Sequence, residues 1–151
     1  MTSDDTPPPT AARIRAARLR AGLDERTMAE RVGINLPSYF DLESYDDEIF
    51  TCLTLEEVTR LARALGITVR SLIASDPVGS PGAISMRDLV ERVRQRVADQ
   101  GITADALFER VGWDISPALD DPESAWRDWN IDCLRDVCAE IGVDWQSVVI
   151  P

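Results

Sequence analysis

The most constraining feature of this chain is a grammar of short helices closed by glycine that is stated twice. Glu30-Arg-Val-Gly33 returns as Glu109-Arg-Val-Gly112, and Gly22-Leu23 returns as Gly101-Ile102, both 79 positions further on. Leu61, Leu65, Gly66, Ile67, Ser71, Leu72 and Ile73 then correspond to Val137, Ile141, Gly142, Val143, Ser147, Val148 and Val149, 76 positions further on. The order of the blocks is kept, and a three-residue deletion in the third helix and the loop after it accounts for the change of offset. Chance readily supplies one four-residue match, but not a second set of glycines and apolar pairs in the same order. A duplication is therefore expected. A helical module of about 60 residues can bury a core of its own, so 151 residues are read as two small units.

Within the first copy, helices are expected over about Thr10–Ala21, stopped by Gly22, and from an Asp24 cap to Val32, stopped by Gly33. A third runs from about Pro37 to Ser44, since proline is tolerated in a first turn, where its missing N–H has no partner to lose. An acidic loop, Tyr45 to Leu53, follows. Thr54-Leu-Glu-Glu57 reads as a capping box that opens a fourth helix ending before Gly66, and Thr68 caps a fifth, Val69 to Ala74. No alternation of apolar and polar residues suggests a strand. The expected fold is all-α, in two tandem five-helix units.

The domain plan is a disordered tail over 1–11, a first domain over 12–75, a linker over 76–83 and a second domain over 84–151. The tail is polar and proline-rich, and Ser75–Gly82 carries two prolines, two glycines and two serines. The start has neither a basic nor an apolar leader segment, and no apolar run reaches the ~20 residues of a membrane span, so a cytoplasmic location is expected. Cys52, Cys133 and Cys138 are odd in number and lack metal-ligand spacing, and are expected reduced and mostly packed.

The chain has no histidine and no lysine, so its 16 cations are all arginine, against 27 carboxylates, for a net charge of −11. Histidine-dependent triads, histidine-containing zinc sites and lysine Schiff-base chemistry are thereby excluded. Paired acids such as Asp120-Asp121 lack the flanking ligands of a calcium loop. No enzyme, cofactor or metal is expected.

The residues Ile14-Arg15, Gly22-Leu23, Met28-Ala29-Glu30-Arg31-Val32-Gly33-Ile34, Leu42-Glu43 and Leu61-Ala-Arg-Ala-Leu-Gly-Ile67 through Ile73 resemble the lambda-repressor-like helix-turn-helix family of Cro and Xre type, over about residues 13–74. Ala29 stands where the family has the alanine that lets its third helix approach the second, and Gly33 where it has the turn glycine. The stretch at about 85–150 resembles the family through the repeat, as a degenerate copy with Phe108 in the place of Ala29.

The resemblance implies a third helix in the DNA major groove, with Leu36, Pro37, Ser38, Asp41 and Ser44 on the reading face and Arg13 and Arg15 available for phosphate. Those residues make poor readers. Leucine and proline offer a base edge nothing beyond contact with a thymine methyl, and Asp41 is repelled by every nearby phosphate. From Asp41 to Glu48 there are five acids and no base, and the second copy sets 7 arginines against 14 carboxylates. DNA is accordingly the disfavoured partner.

An acidic segment flanked by aromatics suits a basic protein, with rings as buried anchors and carboxylates steering a cationic surface. The contact residues expected on that reading are Tyr39, Asp41, Glu43, Tyr45, Asp46, Asp47 and Glu48, together with Trp126 and Trp129. Trp113 and Trp145 align with Ile34 and Val69 and are expected in the core. The function that follows is a non-catalytic acidic protein-binding module, of the antitoxin or immunity type that neutralises a basic toxin; the alternative is an Xre-type DNA-binding regulator.

Overall fold

A computed structural model describes residues 9–73 and 84–148. Most of the expected tail and the whole linker, 76–83, lie outside the described residues. The described chain is all-helical, with eleven α-helices: α1 Thr10–Ala21, α2 Glu25–Val32, α3 Leu36–Leu42, α4 Glu48–Thr51, α5 Leu55–Leu65, α6 Val69–Ile73, α7 Met86–Gln100, α8 Ala104–Val111, α9 Ser116–Asp120, α10 Ser124–Asp128 and α11 Ile131–Glu140. A 3-10 turn, Trp145–Ser147, closes the series, and one parallel bridge joins Ile84 to Val148.

Side-chain caps explain where several helices begin. Asp24 accepts from the Thr27 amide at 2.7 Å, Asn35 from Ser38 at 2.8 Å and Asn130 from Cys133 at 2.8 Å, each supplying a partner to an otherwise orphaned N–H. The Thr27 amide holds the Asp24 carboxyl below its ordinary range. Six glycines, Gly22, Gly33, Gly66, Gly101, Gly112 and Gly142, have positive φ, the left-handed conformation in which a helix end closes without a Cβ penalty. They fall into three pairs, Gly22 with Gly101, Gly33 with Gly112 and Gly66 with Gly142, separated by 79, 79 and 76 positions.

The segment expected as an acidic loop, Tyr45 to Leu53, contains the one-turn helix α4, because Ile49 is drawn into the core. The domain plan also differs from a simple division in sequence. One compact unit takes 9–49 and 57–73 of the described chain, and the other takes 50–56 and 84–148. In the first, α2 packs on α3 and α1 on α6, around Ile14, Met28, Tyr39, Leu42, Leu61 and Leu72. In the second, α11 packs on α8 and α7 on α9, around Leu89, Leu107, Ile115, Ile131 and Leu134. Ala29 is buried in the first unit, while Phe108 in the second is half-exposed.

Segment 50–56 is tied into the second unit by its backbone. The Leu55 amide donates to the Trp129 carbonyl at 2.8 Å, and the Asn130 side chain donates to the Thr51 carbonyl at 2.9 Å. The Arg135 guanidinium lies over the Phe50 ring at 4.3 Å and the Trp145 ring at 4.9 Å, a stacked cation between two aromatics.

All three cysteines are free thiols, and two of them, Cys133 and Cys138, are buried, in line with the expectation that they would be reduced and mostly packed; Cys52 is exposed. Burial pushes both buried thiols up from 9.0 to about 12. A group that keeps its proton longer folded than unfolded stabilises below its unfolded pKa, and that contribution is lost as pH rises toward the folded value. Stability is therefore expected to fall by about 1.4 kcal/mol per pH unit per thiol above pH ~9. Urea midpoints at successive alkaline pH values check this, and the C133A/C138A variant should show a shallower decline.

Candidate functional site

The region to which the sequence assigns recognition is α3, the turn after it and the start of α4. Its geometry is set by a buried ion pair. Arg18 of α1 is 5% exposed and grips both oxygens of Glu43, with Nε–Oε1 at 2.5 Å and Nη2–Oε2 at 3.1 Å. Its Nη1 donates to the Leu23 carbonyl at 3.0 Å and its Nη2 to Glu25 at 3.2 Å. The Tyr39 hydroxyl donates to Glu43 Oε1 at 2.9 Å, and burial beside that carboxylate raises the phenol well above its ordinary range. The Glu43 hydrogen bond, against a smaller opposing effect of burial, raises the Arg18 guanidinium further. Five polar groups thus lock α1, α2 and α3 together.

Two expected contact residues are therefore interior. Tyr39 is fully buried, because on a seven-residue helix it shares the inward face with Leu42, three positions on. Glu43 is spent on Arg18. Asp46 has a structural task too: α1 has no side-chain cap of its own, and Asp46 Oδ1 accepts from the Ala11 amide at 3.0 Å. Glu48 is half-buried in the first turn of α4, whereas Asp41, Tyr45, Asp46 and Asp47 are exposed.

The exposed aromatic that sequence reasoning left out of the contact set is Phe40. It is 48% exposed and Tyr45 is 57% exposed, with Asp41 beside the first and Asp46 and Asp47 beside the second. The signal was available: if Tyr39 and Leu42 face inward, Phe40 cannot, since it is rotated about 100° from Tyr39 on a helix of 3.6 residues per turn. Ser44 is exposed and donates back to the Phe40 carbonyl at 2.7 Å. No arginine occurs between Arg31 and Arg60, so the whole face lacks a cation of its own segment.

The residues of the DNA reading are dispersed in character. Arg13 directs Nη1 to the Leu72 carbonyl near the end of α6 at 3.2 Å, Arg15 is exposed, Pro37, Asp41 and Ser44 are exposed, and Leu36 and Ser38 are half-buried. Of the four arginines of α1, Arg18 is buried and Arg13 half-buried.

In the second unit, Trp129 is buried, so it leaves the expected contact set; Trp126 is half-buried. The two tryptophans expected in the core are partly exposed. Trp113 is 37% exposed, its indole N–H donating to Asp136 Oδ2 at 3.0 Å, and Trp145 is half-exposed beside Arg135. Asp114 accepts from the amide and hydroxyl of Ser116, which hold its carboxyl below the ordinary range.

No family model, curated protein or solved structure matches the chain. Among the described residues no three potential ligands gather as a metal site, and no helix is long and apolar enough to cross a membrane. What the α3–α4 face offers chemically is two accessible rings and a set of carboxylates: apolar area for burial, π faces for a cation, and negative charge for steering.

Proposed function

We propose that this chain is a non-catalytic binding protein, a duplicated helix-turn-helix scaffold whose α3–α4 face receives a cationic protein surface instead of DNA. The exposure of Phe40 and Tyr45 on an acidic segment without a single arginine carries this reading. Aromatics in the middle of a contact supply most of its energy, while flanking carboxylates raise the encounter rate of a basic partner and turn away polyanions. An antitoxin or immunity protein that masks a basic toxin has these requirements. Duplication is supported by the match of elements: α1 ends at Ala21 and α7 at Gln100, α2 spans Glu25–Val32 and α8 spans Ala104–Val111, all 79 apart, while α4 and α10 begin at Glu48 and Ser124, 76 apart.

The packing of α2 on α3 and the exposed Arg15 and Arg20 favour a second reading, an Xre-type regulator. The two separate on copurification from the native host followed by calorimetry with the captured protein. The first reading expects a cationic partner, bound roughly thirtyfold or more weakly by F40S/Y45S, since a central aromatic contributes about 2 kcal/mol or more. Unchanged affinity of F40S/Y45S, or capture that nuclease treatment abolishes, contradicts it.

A further inference from the structure

In the first unit, Arg60 of α5 directs Nη1 to the Val32 carbonyl, the last residue of α2, at 3.2 Å. The same atom would stand 3.1 Å from a Cβ built on Gly33. A guanidinium belongs there, because the closing turn of a helix presents unpaired carbonyls with partial negative charge. Adding 79 to Val32 and Gly33 gives Val111 and Gly112, and adding 76 to Arg60 gives Asp136. The second unit thus sets a carboxylate where the first sets a cation, against the sign that the end of α8 favours.

Asp136 accepts from the indole N–H of Trp113 at 3.0 Å, and that ring is 37% exposed. A Cβ built on Gly112 meets nothing within 4 Å among the described residues, unlike one on Gly33. Arg110, in the last turn of α8, pairs with Gln100 and Glu140, and Arg135, next to Asp136 in sequence, with Asp132 and with the Phe50 and Trp145 rings. The carbonyl end of α8, a carboxylate and an accessible indole each attract a cation; the hydrogen bond joins the indole to the carboxylate, and Trp113 directly follows Gly112, the C-cap of α8.

We infer that Trp113, Asp136 and the last turn of α8 form a receptor for an arginine side chain of a protein partner, which stands there as Arg60 stands against α2. Arginine fits better than lysine, because its planar fork can meet a carboxylate with two N–H groups while stacking on an indole. The inference rests on the duplication proposed above, through the alignment of Arg60 with Asp136, but uses a surface apart from α3–α4.

The test follows the Trp113 indole N–H by NMR in the full chain, assigned with W113F, during titration with tetra-arginine and tetra-lysine peptides. Tetra-arginine should shift that signal, with tetra-lysine at least fivefold weaker, D136N at least tenfold weaker than wild type, and D136R unresponsive. D136R should also raise the unfolding midpoint beyond what D120R, a reversal of another exposed acid, achieves, since it installs the guanidinium. A wild-type signal that tetra-arginine leaves unmoved, or equal binding by D136N, overturns the receptor even where D136R stabilises and the duplication stands. A D136R no more stable than D120R overturns the alignment and this inference with it.

Discussion

Replacing Arg18 by alanine should remove about 3–5 kcal/mol of stability, a large share of what a small helical protein possesses. Three carboxylate or carbonyl partners lose their donor, and Glu43, whose side chain is 9% exposed, is left as a buried charge with the Tyr39 hydroxyl as its remaining donor among the described residues. The loss would come from stranding that charge, not from the pair's own attraction, which desolvation offsets. The two causes can be told apart. A triple variant, R18M/E43L/Y39F, removes every charge and hydroxyl at once and should lie within about 1–2 kcal/mol of the parent or above it. Arg15, exposed on the same helix, provides the control: R15A should change stability by no more than about 0.5 kcal/mol. Urea denaturation of the four proteins checks this, and an R18A loss below about 1 kcal/mol contradicts the account of the α1–α3 lock.

The second large effect concerns how the chain is cut. A fragment of residues 79–151 contains everything that sequence order assigns to the second unit, yet lacks 50–56. It should therefore unfold at a far lower denaturant concentration than the same unit in the full chain, or fail to fold cooperatively. Leu53 and Leu55 are both buried, and each contributes roughly 1.5–3 kcal/mol by burial, to which the Phe50–Arg135 stack, the Leu55–Trp129 backbone hydrogen bond and the Asn130 side-chain hydrogen bond to the Thr51 carbonyl add. Adding a peptide of residues 47–58 in excess should recover part of the loss by mass action. N130D in the full chain isolates one link, keeping an acceptor for the α11 cap while removing the donor to Thr51. Circular dichroism melts give the comparison; a fragment as stable as the intact second unit would contradict the assignment of 50–56.

These two effects mark where the sequence is and is not informative. Helix ends were readable because glycine and Asp24 act locally: the left-handed turn and the cap need no tertiary context. The inward turn of Tyr39 was also readable, from Leu36, Tyr39 and Leu42 recurring every three residues. Ala17 and Arg18 stand three and four positions after Ile14, which already places Arg18 on the buried face. What could not be read is non-local. Trp129 sits between Asp128 and Asn130, and its backbone partner, the Leu55 amide, is far away in sequence; Asp46 caps a helix 35 positions earlier. Trp113 is exposed, and Ile34, with which it aligns, is itself only half-buried; the indole's partner, Asp136, lies 23 positions away.

The charge of the α3–α4 face is tested most directly by mapping backbone amide shifts of the full chain against a mixed-sequence DNA duplex at low salt, alongside an arginine-rich peptide. The proposed function expects the peptide to move the amides of Phe40, Asp41, Tyr45 and Asp47 and the duplex to leave them in place. Salt-sensitive shifts from the duplex, concentrated over Leu36 to Ser44, would contradict it.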